Sequence, residues 1–244
     1  MARHFFIAGA QRSGTTWLYR MLEQHPRIAM AQPLRPEPKF FISDALYGQG
    51  IAHYREHYFP AGEHDWFGEK STSYIEHPIA AERIARHFPD ALILFLLRDP
   101  VERAISNYRF SVDNGLESLT LEQALQQEQD RCPPAGISVS PHAYAARGHY
   151  NRYLDMWRGH FPAAQLLPLV SEDTLGNEAA VREIFRTLQL DAQVPLRDVA
   201  VPLNSAAMTL DAIAPGTREL LREGFRDSNR ALAQAYGVDT SRWQ

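Results

Sequence analysis

Two stretches of this chain carry residue types and spacings suited to holding a small anion. The first is Gln11-Arg12-Ser13-Gly14-Thr15-Thr16-Trp17, which follows the apolar run Phe5-Phe6-Ile7-Ala8-Gly9. Gly9 and Gly14 have the spacing of the phosphate-binding loop G-x-x-x-x-G-K-[ST], whose backbone N–H groups cradle phosphate and whose lysine reaches the β- and γ-phosphates. Thr16 holds the hydroxyl position, but Thr15 stands where the lysine belongs, and the nearest cation is Arg12, inside the loop. A helix starting near Thr15 would aim unpaired N–H groups and the positive end of its dipole at an anion. Such a loop suits a phosphate-like group and lacks the lysine that grips a triphosphate. The second stretch begins where the apolar run Leu92-Ile93-Leu94-Phe95-Leu96-Leu97 stops at Arg98-Asp99-Pro100. Asp99 suits an N-cap and Pro100 the first helical position. Arg98 then sits at the carboxyl end of a core strand, the edge at which open α/β sheets bind ligands, with Ser106 two turns further on.

These residues need strands and helices in alternation to position them, and the hydrophobic pattern supplies that order. Strands are predicted at 4–9, 27–31, 65–70, 91–97 and 165–170. Helices are predicted at 15–25, 78–87, from Pro100 onward, and at 120–130, 143–160, 177–188 and 215–236. Cys132-Pro133-Pro134-Ala135-Gly136 is the clearest break. The expected fold is a P-loop-like three-layer α/β arrangement, a central and mainly parallel sheet flanked by helices, forming one domain over residues 1–244.

Together the two stretches resemble the sulfotransferases that use 3'-phosphoadenosine 5'-phosphosulfate (PAPS). In that family a [KR]-x-G-T-T-x-L loop binds the 5'-phosphosulfate, and an R-D-P-x-x-R-x-x-S-x-Y segment binds the 3'-phosphate. The resemblance extends to Pro36-Glu37-Pro38-Lys39-Phe40-Phe41, which is similar to the K-E-x-H-F-F segment of the heparan-sulfate-type branch. It continues in Gly68-Glu69-Lys70-Ser71-Thr72-Ser73-Tyr74, Gly148-His149-Tyr150 and Phe225-Arg226-Asp227-Ser228-Asn229-Arg230.

The resemblance implies transfer of a sulfuryl group from PAPS to a hydroxyl or amine, with no metal ion. It implies donor binding by Arg12, Ser13, Gly14, Thr15, Thr16, Trp17, Arg98 and Ser106, with a weaker match at Asn204 and Ser205. Glu37 would be the general base, Arg12 the cation facing the leaving phosphate, and Lys70 a cation near the sulfuryl group. Pro36 and Lys39 replace the family's lysine and histidine around that glutamate, so Arg35 and Lys39 are candidates to face an anionic acceptor. His149 has two readings, a buried structural histidine or an acceptor contact. Phe40, Phe41 and Tyr74 could line an acceptor pocket, though such residues are more often core.

The remaining composition narrows the alternatives. A formal charge of −4 argues against a general surface for nucleic-acid polymers, which bind basic stripes. The single cysteine, Cys132, permits no internal disulfide. Met1-Ala2-Arg3-His4 leads directly into the first strand, with no leader or membrane-spanning run, so a cytoplasmic, bacterial enzyme is expected, acting on a small-molecule, glycan or lipid acceptor. The rival readings are a P-loop nucleotide kinase or hydrolase, which needs the lysine that Thr15 replaces, and a non-catalytic nucleotide-binding module, which needs no base.

Overall fold

The computed structural model describes residues 3–131, 139–200 and 213–243. In chain order the elements are β1 (Arg3–Gly9), α1 (Thr15–Leu22), β2 (Ile28–Met30), α2 (Asp44–Tyr47), α3 (Gly50–Tyr58), β3 (Trp66–Lys70), α4 (Pro78–His87), β4 (Leu92–Leu97) and α5 (Pro100–Asp113). They continue with α6 (Leu121–Gln126), α7 (Tyr150–Arg158), β5 (Leu166–Val170), α8 (Ser171–Thr174), α9 (Glu178–Thr187) and α10 (Pro215–Tyr236). The contacts fall into two compact units, Met1–Leu97 with Leu154–Val201, and Arg98–Tyr153 with Pro202–Gln244.

The first unit contains one five-stranded sheet in the order β2-β3-β1-β4-β5, every pairing parallel. Parallel sheets are buried on both faces, and the alternation along each strand fills both. On one face Phe5, Ile7, Leu94 and Leu96 pack with Trp17, Leu18, Met21 and Leu22 of α1 and with Val181, Ile184 and Phe185 of α9. On the other, Phe6 meets Phe41 and Phe88 at 5.6 and 5.7 Å, and Phe95 meets Trp157 at 5.6 Å. Helices on both faces of a parallel sheet give the three-layer arrangement expected from the sequence. In the second unit α5, α6 and α10 bury Val101, Ile105, Tyr108, Leu121, Leu221 and Phe225. Thr120 and Gln123 form a capping box at the start of α6, and Glu102 of α5 pairs with Arg218 of α10.

The predicted helix over 143–160 is shorter than expected: a single 3₁₀ turn at Ala146–Gly148 precedes α7, which begins at Tyr150. The Glu128 carboxylate accepts the N–H groups of Ala145 and Ala146, both at 2.8 Å, and so fixes this backbone ahead of the helix. Three helices are absent from the sequence reading, α2, α3 and α8. The apolar stripe of α3 rests on Tyr54 and Tyr58, one turn apart among charged residues, a weak signal at the level of sequence.

His4 lies within the aromatic face, 3.9 Å from Phe88 and 5.5 Å from Phe67 between ring centroids. Its Nε2 is buried with no hydrogen-bond partner among the described residues. Burial, reinforced by the Arg55 charge, holds the imidazole down at about 3. The unfolded chain therefore takes up a proton near 6.5 that the folded chain refuses until about 3. The resulting stability is present above pH 6.5 and lost as the pH falls through that window, about 5 kcal/mol in all. Urea melts of His4→Phe are expected to show a flatter acid limb than the wild type, and equal losses between pH 7 and pH 4 would refute this assignment.

Candidate active site

β1 is buried from His4 to Gly9, and the Ala10 N–H then donates to the Leu96 carbonyl at 2.8 Å. A Cβ at Gly14 would meet Leu175 Cδ1 at 2.6 Å, and Gly14 has φ +85°, so only glycine fits there. The Ser13 carbonyl accepts the Ser171 hydroxyl at 2.7 Å, which fixes the loop from below. α1 starts at Thr15 with no side-chain cap, which leaves its first N–H groups available to a ligand. Ser13 Oγ is buried with no partner among the described residues. Arg12 has φ 72°, a left-handed conformation that costs a non-glycine residue about 1 kcal/mol or more, and a functional side chain is the usual reason for such a residue. Thr15, at the lysine position, is buried. Trp17 turns into the core, its indole N–H donating to the Val199 carbonyl at 2.9 Å.

Because the sheet is parallel, the chain leaves β1, β2 and β3 at one edge, and Glu37 and Lys70 meet on that side. Lys70 ends β3 and is buried, its ammonium ion-paired with the Glu37 carboxylate. Thr72 completes the grip on Glu37: its N–H donates to Oε2 at 3.0 Å, and its hydroxyl lies 3.0 Å from both carboxylate oxygens. The Glu37 side chain keeps 16% of its surface exposed, against 3% for Lys70, so Glu37 is the more solvent-facing member of the pair. The sequence reading named Glu37 and Lys70 separately, and the structure joins them. It missed Thr72, whose signal was its place two residues past a strand end beside a lysine.

Glu69, the residue before Lys70, is fully buried. Its carboxylate accepts from the Tyr54 hydroxyl at 2.7 Å and the Ser71 hydroxyl at 2.6 Å, and the Tyr74 hydroxyl also faces it. Burial pushes this group up to about 7, against the pull of those hydroxyl donors. Phe40, Phe41 and Tyr74 are wholly buried and packed on one another and on Tyr54, which makes them core.

Arg98 and Ser106 belong to the second unit. Arg98 directly follows β4, and its carbonyl accepts the Tyr150 hydroxyl at 2.8 Å. Asp99 caps α5 as expected, its carboxylate accepting from the N–H of Val101 at 2.8 Å, with Pro100 at the first helical position. Ser106 is half-buried along the same helix. The His149 ring packs 5.1 Å from Phe225, and burial together with the Arg152 charge holds it below the usual histidine range. Asn204, Ser205 and Cys132 lie outside the described residues.

The profile of the sulfotransferase family matches residues 4–58 and 41–193. A bifunctional heparan sulfate N-deacetylase/N-sulfotransferase 2 of Bos taurus is 29% identical over 190 residues, covering 75% of this chain and 21% of that protein. A heparan sulfate glucosamine 3-O-sulfotransferase 3A1 of Mus musculus is 31% identical over 179 residues, covering 71% of this chain and 42% of that protein. The chain thus spans less than half the length of either relative. A crystal structure of a sulfotransferase from Alicyclobacillus acidocaldarius superposes with a TM-score of 0.82 at 25% identity, covering 100% of this chain and 99% of that one. Matched by the family profile over most of its length and by that structure over all of it, the chain belongs to the sulfotransferase family.

Proposed function

We propose that the enzyme transfers the sulfuryl group of PAPS to a hydroxyl or amine of its acceptor, with Glu37 as general base. The observation that carries this reading is the partly exposed Glu37 side chain, its carboxylate held by Lys70 and Thr72, in the unit that also contains the loop from Arg12 to Thr16. The loop fits the 5'-phosphosulfate in kind: an uncapped helix start, a buried Ser13 hydroxyl in need of a partner, and an arginine inside the turn. A phosphosulfate has no β- or γ-phosphate, and the buried Thr15 side chain offers none of the charge that a triphosphate requires. This is the reason to prefer sulfuryl transfer from PAPS over phosphoryl transfer.

In the proposed reaction the acceptor oxygen or nitrogen forms a bond to sulfur as the bond from sulfur to the 5'-phosphate oxygen breaks. Glu37 takes the acceptor's proton, Arg12 balances the charge growing on the departing phosphate, and Lys70 stands beside the incoming group. Arg98 and Ser106 are assigned to the 3'-phosphate. The heparan sulfate relatives make a glycan hydroxyl or amine the first acceptor to try, followed by lipid and small-molecule acceptors.

Titration calorimetry tests the donor. Adenosine 3',5'-bisphosphate is expected to bind in the presence of EDTA, and to bind more tightly than ATP with Mg²⁺. Failure of the bisphosphate to bind while ATP with Mg²⁺ binds well would overturn the assignment. The acceptor is then sought with labelled PAPS and a panel of desulfated glycans, lipids and phenols.

A further inference from the structure

Glu69 and Lys70 are neighbours in sequence, yet they serve opposite faces of β3. Glu69 is in register with Phe6 of β1 and Lys70 with Ile7, and successive strand residues point to opposite sides. Lys70 reaches the Glu37 carboxylate. Glu69 enters the aromatic face, where filling space would call for an apolar side chain, because an unpaired buried carboxylate is costly.

The partners of Glu69 form two short chains that lead back to the segment carrying Glu37. The Ser71 hydroxyl donates to Glu69 Oε1 and accepts the Lys39 N–H at 2.9 Å. The Tyr74 hydroxyl faces the same carboxylate and accepts the Phe41 N–H at 3.2 Å. Lys39 has φ 51°, so this backbone follows a path that an ordinary residue adopts only under constraint. A third donor, the Tyr54 hydroxyl, binds Oε2 and takes no backbone N–H of this segment, which Tyr54 touches only through its ring against Phe40 and Phe41. When ionised, the carboxylate only accepts, so each hydroxyl that binds it turns its proton inward and leaves its lone pairs for the backbone N–H groups.

We propose that Glu69 is a positioning residue for the reaction: through Ser71 and Tyr74 its buried carboxylate fixes the backbone of residues 39–41, and with it the aim of the Glu37 carboxylate two residues before. The proposal rests on Glu37 being the base. Glu69 itself touches no reacting atom. Consecutive residues of one strand then control a single carboxylate, Lys70 from its oxygens and Glu69 from its backbone.

The test uses the full chain and the variants Glu69→Gln, Ser71→Ala, their double, and Tyr54→Phe. Turnover is read as release of adenosine 3',5'-bisphosphate from PAPS, to the best acceptor of the panel or to water. Nucleotide affinity is read by calorimetry and fold stability by thermal melting. Glu69→Gln and Ser71→Ala are each expected to lower turnover by about tenfold or more, a loss of roughly 1.4 kcal/mol in transition-state stabilisation, with affinity for the bisphosphate within twofold of wild type. Because the two residues act in series, the double variant is expected to lose little more than the worse single one. Tyr54→Phe removes a donor to the same carboxylate outside both chains, and it is expected to lower the melting temperature while sparing turnover. Wild-type turnover in Ser71→Ala, or losses of turnover that track melting temperature across all four variants, would overturn the proposal. Glu37→Gln measured alongside separates the two readings: if it stays active the base assignment falls, whereas an inactive Glu37→Gln beside a fully active Glu69→Gln removes the positioning role alone.

Discussion

Glu37→Gln is expected to lose about two to four orders of magnitude in turnover, the range over which a positioned general base contributes. The amide keeps the shape of the side chain and an oxygen for the Thr72 N–H, which now donates to the carboxylate at 3.0 Å, but it cannot take the acceptor's proton. The same change leaves the buried Lys70 ammonium without its counter-charge. Breaking a buried pair by removing one partner costs about 3 to 5 kcal/mol, so a fall in melting temperature is expected as well. Stability and chemistry are separated by measuring single turnovers at saturating donor well below the melting transition. Affinity for adenosine 3',5'-bisphosphate should stay within a few-fold of wild type. A Glu37→Gln enzyme that turns over at the wild-type rate would remove Glu37 from the role of base.

Arg12→Ala is expected to lower turnover by about 10²- to 10³-fold, the cost of deleting one preorganised donor to charge that develops in the transition state. The loss should fall on turnover more than on donor affinity, because the phosphate gains negative charge as sulfur leaves it. Arg12→Lys keeps a cation on a flexible stem and is expected to recover most of the rate, while losing the fixed fork of the guanidinium. Alanine meets the same left-handed φ of 72° as arginine, so the comparison between the two does not confuse backbone strain with charge. Pre-steady-state release of the bisphosphate gives the answer directly. If Arg12→Ala raises KM and leaves kcat intact, Arg12 is a ground-state anchor and the proposed electrostatic role is wrong.

The parts of the molecule legible in the sequence are those governed by local rules. All five strands, the helix cap at Asp99, the first-turn Pro100 and the glycines of the loop follow from periodicity, capping and backbone conformation, each decided within a few residues. What escaped depends on contacts far apart in the chain. The backbone ahead of α7 is held by Glu128, which takes N–H donors more than fifteen positions away. The grip of Thr72 on Glu37 and the network under Glu69 join residues separated by more than thirty positions, and no periodic pattern records such pairings. Phe40, Phe41 and Tyr74 had two readings, core or pocket wall, and only burial could decide between them.

The loop from Gly9 to Thr16 stands on supports that lie in none of the recognisable sequence patterns. Ser171 holds the Ser13 carbonyl from 158 positions away, and Leu175 fills the space that a side chain at Gly14 would need. Copying residues 9–16 into another scaffold would therefore transfer the letters of the loop without its shape. A useful transplant has to carry Ser171 and Leu175 along with it, and when distant relatives are compared these two positions deserve to be read together with the glycines.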